Sequence, residues 1–265
     1  MQFTVMSFNL RYDKPDPGVR QWQNRVKAIA SLIKHYQPDL LGTQEGKAHQ
    51  INDLKALLPE YHTIGGDRTG TGTGEYCTIF YHPHRLQCHH TQDFFLSETP
   101  EVPGSITPHW NNRLPRMATW GKFKIDGIPY FINIVNTHLD HESVKARELG
   151  AALIYQRLGE LSPDDYLLVS GDFNATPQTK ERQIFQTPLS NGKKLIDTVA
   201  TLPYNQQKTF HDFTGQPSLA IDTIYSDRRL QVEQIIIDRK QWENVWPSDH
   251  FPVIIKLNLN PNTNH

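Results

Sequence analysis

The sequence predicts an α/β (α+β) protein built as a four-layer α/β-sandwich, with two packed mixed β-sheets flanked by helices. Three observations support this prediction. Strand-like runs alternate with helix-like runs along the whole chain. A strand-helix-strand pattern occurs twice at similar spacing, and the strands of both patterns end in polar residues. Packing the two sheets face to face, with helices outside, would bring these polar strand ends to one edge of the sandwich.

Hydrophobic periodicity and turn residues define the predicted elements. Apolar residues recur at helical spacing after Trp22 and stop at Pro38, which predicts the first helix. The pair Asp126-Gly127 is a strong hairpin signal between two strands. Two further helices are predicted over 48–58 and 142–161. The predicted strands cover 4–10, 40–45, 77–81, 94–96, 119–125, 130–139, 166–169, 221–225, 232–237 and 252–257.

The chain contains no low-complexity linker. Residues 1–258 are therefore expected to form a single domain, and 259–265 to form a short polar tail. The stretch 65–74 is rich in Gly and Thr and is expected to be a flexible surface loop. Residues 99–116 are rich in Pro and Asn, which predicts a long loop of the kind that often serves function.

The composition argues against several classes of protein. Lys and Arg number 27 and Asp and Glu number 28, so the net charge is −1 and no basic excess supports general binding of nucleic acid. The two cysteines, Cys77 and Cys88, form no metal motif and are expected to be reduced thiols. No apolar run is long enough to cross a membrane, and no leader pattern precedes the first strand. We therefore expect a monomeric cytoplasmic protein without membrane insertion, unless a leader has been removed.

Two short motifs carry most of the functional information. The first is Ser170-Gly171-Asp172-Phe173-Asn174, and the second is Ser248-Asp249-His250-Phe251-Pro252-Val253. Each motif places a carboxylate beside another polar side chain where an apolar strand meets a loop. Strand ends are rigid, and loops are open to substrate. Carboxylates gathered in this way suit a hard divalent cation and the activation of water.

These motifs belong to a larger set of polar residues in a characteristic order. The set comprises Asn9, Glu45, His138, Asp172, Asn174, Asp222, Asp249 and His250. In this order and with these neighbours, the chain resembles the endonuclease/exonuclease/phosphatase superfamily, in particular its compact bacterial-type branch related to deadenylase-like members. The resemblance covers nearly the whole chain. It implies a DNase I-like fold and hydrolysis of phosphate esters with a divalent metal.

The resemblance implies that Glu45 is the principal ligand of Mg²⁺, with Mn²⁺ as an alternative. A physical argument supports this assignment, because an acid that follows an apolar strand is costly to bury unless it meets a cation. Asn9 is expected to support Glu45 or to contact the phosphate. Asp249 is expected to lie near the metal.

Asp172 is predicted to orient and deprotonate the attacking water. Asn174 is expected to donate a hydrogen bond to a phosphoryl oxygen or to Asp172. By the resemblance, His250 contacts the phosphate, and Asp222 would accept a hydrogen bond from His250 and fix its tautomer. A cationic His250 would stabilise negative charge on the phosphoryl oxygens.

Further site residues are predicted by position. His138 matches a phosphate-contacting histidine of the family, and Glu75 falls where related enzymes carry an acid that pairs with it. Tyr76 and Arg116 are predicted to contact substrate, although an ordinary surface role is about equally compatible with Arg116. His141 accompanies the branch, but a lone histidine is more often structural.

The expected activity is a metal-dependent phosphodiesterase or phosphatase that uses in-line attack of water on phosphorus. One alternative is a nuclease on RNA or single-stranded DNA, with bases stacking on aromatic residues such as Trp110, although a tryptophan at this position could equally cap the core. Another is a catalytically weak binding module with the same fold. The neutral charge argues against an enzyme of duplex DNA. The inositol-phosphatase branch is disfavoured because its Cys-Asp-Arg string is replaced by residues 219–223.

Overall fold

The structure, a computed structural model, describes residues 1–259 and contains two six-stranded sheets and four α-helices in that range. The helices are α1 Trp22–Tyr36, α2 Ala48–Leu57, α3 Val144–Gly159 and α4 Lys180–Gln183. The strands are β1 Gln2–Asn9, β2 Leu40–Gln44, β3 His62–Ile64, β4 Ile79–Tyr81, β5 Gln87–Phe95, β6 Met117–Lys124, β7 Ile132–His138, β8 Tyr166–Asp172, β9 Leu195–Asp197, β10 Asp222–Asp227, β11 Gln231–Ile237 and β12 Val253–Asn258. The first sheet has the order β11-β12-β1-β2-β4-β3, and the second has the order β5-β6-β7-β8-β10-β9.

The two predicted strand-helix-strand units lie near the centres of the two sheets. In each unit the strands pair in parallel, β1 with β2 and β7 with β8, whereas the other strand pairs are antiparallel. The register places Asn9 opposite Gln44 and His138 opposite Asp172. The polar strand ends therefore meet at the carboxyl edge of the two sheets, as the sequence predicts.

Three apolar clusters separate the four layers. One cluster lies between the sheets and includes Val5, Leu40 and Ile134. A second packs α1 and α2 onto the outer face of the first sheet, and a third packs α3 onto the second sheet. Successive residues of β1 alternate between the first two clusters, since Val5 faces the other sheet and Met6 faces the helices. Both faces of the central strands are thus buried, which confirms the predicted sandwich.

A buried polar contact fixes one sheet against the other beneath the polar edge. The amide of Asn136 donates to the carbonyl of Thr43 at 2.8 Å and accepts from Gln44 Nε2 at 2.7 Å. The sheets approach closely here, because a Cβ added to Gly42 would lie 2.5 Å from Ser170 Oγ. Buried amides of this kind specify one register of packing.

Replacing Asn136 by alanine is expected to lower the free energy of unfolding by about 2–4 kcal/mol. The change leaves the Thr43 carbonyl and the Gln44 amide buried without this partner, in addition to the lost packing. Urea unfolding followed by circular dichroism measures the effect. Substitutions at ordinary surface positions change the free energy of unfolding by about 0.5 kcal/mol or less. A loss no larger than that would show that the contact between the sheets is dispensable.

The structure differs from the predictions mainly at the sheet edges. Strand β5 begins at Gln87, whereas the predicted strand covers only 94–96. The first part of β5 is missed because it is largely exposed and lacks apolar alternation. The short β3, β9 and α4 are absent from the predictions. The loop 65–74 is not loose, because the carboxylate of Asp67 accepts hydrogen bonds from the backbone of three loop residues. Leu259, assigned to the polar tail, is buried in the core, and 260–265 lie outside the described residues.

Candidate active site

A polar cleft of about 600 Å³ lies at the carboxyl edge of the two sheets. It is bounded by the ends of β1, β2, β7 and β8 and by the loop before β12. The acids, bases and histidines of its lining are Arg11, Glu45, Lys47, Arg68, Glu75, Arg116, His138, His141, Asp172, Asp249 and His250. Its remaining lining consists of Tyr12, Leu114, Asn174, Phe210, Leu219 and Ile221.

Glu45 lies directly after β2 in a left-handed backbone conformation, with φ of 66°. This conformation is uncommon outside glycine and turns the side chain out of the strand direction. The Asn9 amide donates to Glu45 Oε1 at 3.0 Å, and the Tyr12 N–H donates to Oε2 at 3.0 Å. Burial opposes ionisation, but the positive charge of His250 and the Asn9 hydrogen bond lower the pKa of Glu45 below its ordinary value. Glu45 is therefore a largely enclosed carboxylate in its charged form, with 13% of its side chain exposed.

Asp172 ends β8 and lies at the centre of the cleft. Its Oδ2 accepts from Asn9 Nδ2 at 3.0 Å and lies 3.7 Å from His138 Nε2 and 3.9 Å from His250 Nε2. Its Oδ1 accepts from the backbone N–H of Asn174 at 2.8 Å. Burial and the negative charge of Asp222 raise the pKa of Asp172 to about 7. A carboxylate with such a pKa is suited to exchange a proton with water near neutral pH.

His250 is held by a carboxylate behind it. Its Nδ1 lies 2.8 Å from Asp222 Oδ2, which also accepts from the hydroxyl of Thr209 at 2.6 Å. Burial acts against a charged imidazole, but Asp222 raises the pKa of His250 well above its ordinary value. The imidazole is therefore cationic, and its Nε2–H faces the cleft beside Asp172.

His138 has the opposite electrostatic character. Burial and the positive charges of Arg116 and Arg68 hold the pKa of His138 well below its ordinary value. Its Nδ1 lies 3.9 Å from Glu75 Oε2, and Arg68 contacts both oxygens of Glu75 at 2.8 Å. The cleft thus contains one neutral and one cationic histidine, which suit different roles toward an anionic substrate.

Asp249 and His250 both reach the cleft because they lie in the loop before β12 and not in a strand. Ser248 Oγ donates to the Asn9 carbonyl at 2.7 Å and contacts Asp249 Oδ1 at 3.2 Å. Asp249 Oδ2 lies 3.4 Å from Arg11 Nη1. Burial raises the pKa of Asp249, and the His250 charge opposes this shift.

The structure places most of the predicted residues in the cleft lining. Asn9 and Asp222 lie behind the lining and contact Asp172 and His250. Two of the lining residues need comment, and one predicted residue lies outside the site. Asn174 uses its side-chain amide on the Leu139 carbonyl at 3.1 Å, and Arg116 is buried against Asp140 and His141. Both nevertheless line the cleft. Tyr76 does not line it but borders a separate small void behind Glu75.

Of the two roles open to Trp110, base stacking and capping the core, the structure favours the second. The residue is 6% exposed, so its ring is part of the core and offers no platform for nucleotides.

The donor set of the cleft fits a divalent cation. One ligand atom each of Glu45, His138 and Asp172 lie within 4.8 Å of one another. Two of the three are carboxylate oxygens, and hard cations prefer oxygen ligands. Asn9 Oδ1 accepts from the Arg11 N–H at 2.9 Å, so its amide N–H₂ faces Glu45 and Asp172. Asn9 therefore acts on the acids of this site through their hydrogen bonds.

Several cleft residues are missing from the sequence predictions. Arg68 lies in the Thr- and Gly-rich loop whose composition suggests only flexibility. Thr209 is far in sequence from its partner Asp222 and shows no motif. The cationic Arg11 lies two residues after Asn9, and its proximity in sequence to a predicted ligand is the one local signal that could have identified it.

The stability of the protein is expected to fall at acidic pH because of His211, which is stacked on Phe251 with ring centroids 3.9 Å apart. Burial and repulsion by His250 lower the pKa of His211 to about 4. An unfolded histidine has a pKa near 6.5, so the unfolded chain binds the extra proton first as pH falls below about 6.5. Relative to His211→Phe, the wild type should lose about 3 kcal/mol between pH 7.5 and pH 4.

Urea unfolding of both proteins across this pH range checks the prediction. The same replacement at the exposed His62 is the control and should leave the pH dependence unchanged. Parallel stability curves for the wild type and His211→Phe would contradict the assignment.

Among residues 1–259, no helix combines the length and the apolar character that crossing a bilayer requires.

The fold and the cleft together define a hydrolase of phosphoester bonds. Two packed mixed sheets carry at one edge the acids, histidines and cationic side chains that such chemistry uses. The sequence model described as the endonuclease/exonuclease/phosphatase family matches residues 6–250. The chain belongs to this family, and its fold is DNase I-like.

Solved structures of high similarity support this membership. An endonuclease/exonuclease/phosphatase from Bacteroides vulgatus is 31% identical, with a TM-score of 0.87 over 98% of this chain and 100% of that one. A mannosyl-6-phosphatase from Bacteroides thetaiotaomicron is 32% identical, with a TM-score of 0.86 over 97% of this chain and 100% of that one. The catalytic domain of human Nocturnin shares the fold at 19% identity, with a TM-score of 0.75 over 97% of this chain and 94% of that one.

Among curated proteins, the uncharacterized protein R895 of Acanthamoeba polyphaga mimivirus is 29% identical over 83% of this chain. The match spans only 37% of the length of that viral protein.

Proposed function

We propose that this protein is a divalent-metal-dependent phosphatase that acts on small phosphomonoesters, with a sugar phosphate as the first candidate. The observation that carries the proposal is the composition of the cleft. Glu45 and Asp172 lie together with the cationic His250, and four further cationic side chains line the same cavity. A phosphomonoester dianion suits a metal-binding pair of acids that is flanked by cationic side chains.

The catalytic roles follow from the positions of the side chains. Asp172 accepts a hydrogen bond from the attacking water, and its proton affinity near neutral pH allows it to take the proton. The Asn9 amide and the Asn174 N–H fix the orientation of the Asp172 carboxylate. Water held in this way can approach phosphorus in line with the leaving oxygen.

The two histidines contact the phosphoryl group from either side of Asp172. His250 keeps its charge through Asp222 and stabilises negative charge on the non-bridging oxygens. The neutral His138 donates or accepts a hydrogen bond without adding charge, and Glu75 with its partner Arg68 orients the ring.

Glu45 would hold the metal, with Asp249 near it and Asn9 supporting the carboxylate. Mg²⁺ is the first candidate and Mn²⁺ the second, since both prefer oxygen ligands. A bound divalent ion would supply neutralisation of the phosphate and of the leaving oxygen.

The choice of substrate class rests on a relative and on the shape of the cleft. The Bacteroides thetaiotaomicron mannosyl-6-phosphatase is 32% identical over nearly the full length of both chains. Tyr12, Phe210 and Leu219 form apolar parts of the cleft wall, against which the carbon face of a sugar can pack.

A nuclease on single-stranded nucleic acid is the second candidate, favoured by the cationic groups in the cleft. The net charge of −1 and the burial of Trp110 make it the weaker one. We also propose a monomer that resides in the cytoplasm, consistent with the two free cysteines, Cys77 and Cys88.

An activity panel tests the proposed function. The substrates are mannose 6-phosphate, a chromogenic monoester, a chromogenic diester, single-stranded polyadenylate and supercoiled plasmid, each with Mg²⁺, with Mn²⁺ and with chelator. We expect the monoesters to be hydrolysed fastest and chelation to abolish turnover. Preferential cleavage of polyadenylate would select the nuclease. Turnover that survives chelation would contradict the metal-dependent mechanism, and inactivity on all five would favour a binding module.

A further inference from the structure

We infer that Arg25 is a positioning residue for the metal site, because its buried guanidinium ties together the two chain segments that carry Asn9 and Asp249. This inference rests on the proposed metal-dependent function. Arg25 lies in the first turn of α1 and is fully buried, outside the residues that line the cleft. It acts on the site through main-chain contacts alone.

The guanidinium donates to four main-chain carbonyls from three separate segments. Nη1 donates to Leu10 O at 2.8 Å and to Pro247 O at 2.6 Å. Nη2 donates to Arg11 O at 3.1 Å, and Nε donates to Arg20 O at 2.7 Å. Leu10 directly follows Asn9, so one end of this clamp holds the exit of β1.

The other end of the clamp holds the loop that carries Asp249. Pro247 precedes Ser248, whose hydroxyl donates to the Asn9 carbonyl at 2.7 Å. Two independent ties therefore join the β1 exit to this loop, one through Ser248 and one through Arg25. The Ser248 hydroxyl acts on the carbonyl of Asn9 itself, and Arg25 acts on the carbonyls of Leu10 and Pro247. All three carbonyls lie within two residues of Asn9 or Asp249.

Aromatic rings keep the guanidinium in place. Its carbon lies 5.6 Å from the centre of the Trp22 ring and 5.4 Å from that of Phe213. No carboxylate lies within 4.0 Å of the Arg25 side-chain nitrogens in the described part of the chain. Main-chain carbonyls and aromatic rings therefore hold the guanidinium there without a direct ion pair.

A lysine cannot replace this group. Its single ammonium has three donors on a flexible stem and cannot span three segments in one plane. Arg25→Lys keeps the charge and loses the clamp, whereas Arg25→Gln loses both. A loss of Mn²⁺ affinity in Arg25→Lys therefore comes from the lost hydrogen bonds of the clamp, because the positive charge is kept.

The test is calorimetric titration of the full chain with Mn²⁺ in the absence of substrate, together with the Mn²⁺ dependence of turnover. We expect both Arg25 variants to bind Mn²⁺ roughly 10-fold or more weakly than the wild type, the usual effect of removing support from a metal ligand. At saturating Mn²⁺, Arg25→Lys should recover most of the wild-type kcat, because the reacting groups themselves are intact.

Arg229→Gln is the matched control. Arg229 also donates to main-chain carbonyls, those of Asp164 and Asp165, but near the amino end of β8, opposite Asp172. The control should lower the melting temperature and leave the Mn²⁺ affinity unchanged. An equal loss of Mn²⁺ affinity in the control would overturn the inference, since the effect would then be a general consequence of lost stability.

Further outcomes are decisive. Wild-type Mn²⁺ affinity in a folded Arg25→Lys protein overturns the inference and leaves the proposed function intact. A wild type that binds no Mn²⁺ contradicts the proposed function and the inference with it.

If both Arg25 variants fail to fold, Phe213→Leu loosens the clamp without removing a donor. Unchanged Mn²⁺ affinity in that variant overturns the inference, and a weakened affinity supports it.

Discussion

Replacing Asp172 by asparagine is expected to lower kcat by about 10²–10⁴-fold on any phosphoester that the wild type hydrolyses. This range is that of a general base. The amide keeps the size of the side chain but cannot take a proton from water. KM should change little, because Asp172 acts on the water and not on the bound phosphate. Steady-state kinetics on mannose 6-phosphate or a chromogenic monoester measures both quantities.

The stability of this variant provides an internal check. The pKa of Asp172 is raised by burial, so its ionisation destabilises the metal-free folded state as pH rises through about 7. Asp172→Asn should therefore be at least as stable as the wild type at pH 8, which would exclude misfolding as the cause of inactivity. Asp165→Asn, a buried change just before the other end of β8, should retain wild-type kcat. A kcat within threefold of wild type in Asp172→Asn would contradict the role of Asp172.

Replacing Glu45 by glutamine is the second change with a large expected effect. We expect kcat/KM to fall by about 10²–10⁴-fold at fixed Mg²⁺, since a metal contributes several kcal/mol to charge stabilisation. The concentration of Mg²⁺ or Mn²⁺ required for half-maximal activity should rise at least roughly tenfold. Titration of activity with each metal measures both effects.

Glu181→Gln is the control for this change, because Glu181 is a buried glutamate paired with Arg147 away from the cleft. It should alter stability and leave the metal requirement unchanged. If Glu45→Gln lowered kcat without any change in metal requirement, the principal ligand would lie elsewhere among the acids of the cleft.

The parts of the fold that follow from local patterns are predicted well. The two β-α-β units have strong periodicity, and parallel pairing then places Asn9, Glu45, His138 and Asp172 at one edge without further information. The edge strands are predicted poorly. Strand β5 exposes Gln87, Cys88, His89 and His90 in part or fully, so no apolar alternation marks it, and pairing with β6 alone determines its conformation.

The site shows the same division between local and tertiary information. Residues that follow strands within recognisable motifs, such as Asp172 and His250, are predicted from the sequence. Residues whose role depends on folding are not. Thr209 reaches Asp222 from a distant loop, and Arg25 acts from one face of a helix on three remote carbonyls. Tyr76 is predicted by adjacency to Glu75, but it does not line the cleft.

The central claim is that water, oriented by Asp172, attacks phosphorus in a metal-dependent step. Hydrolysis of mannose 6-phosphate in ¹⁸O-labelled water with Mn²⁺, followed by mass spectrometry of both products, tests it most directly. Attack at phosphorus predicts one ¹⁸O atom in each released phosphate and none in mannose, with no release in the presence of chelator. Label in the sugar, or release of phosphate that persists under chelation, would contradict the account.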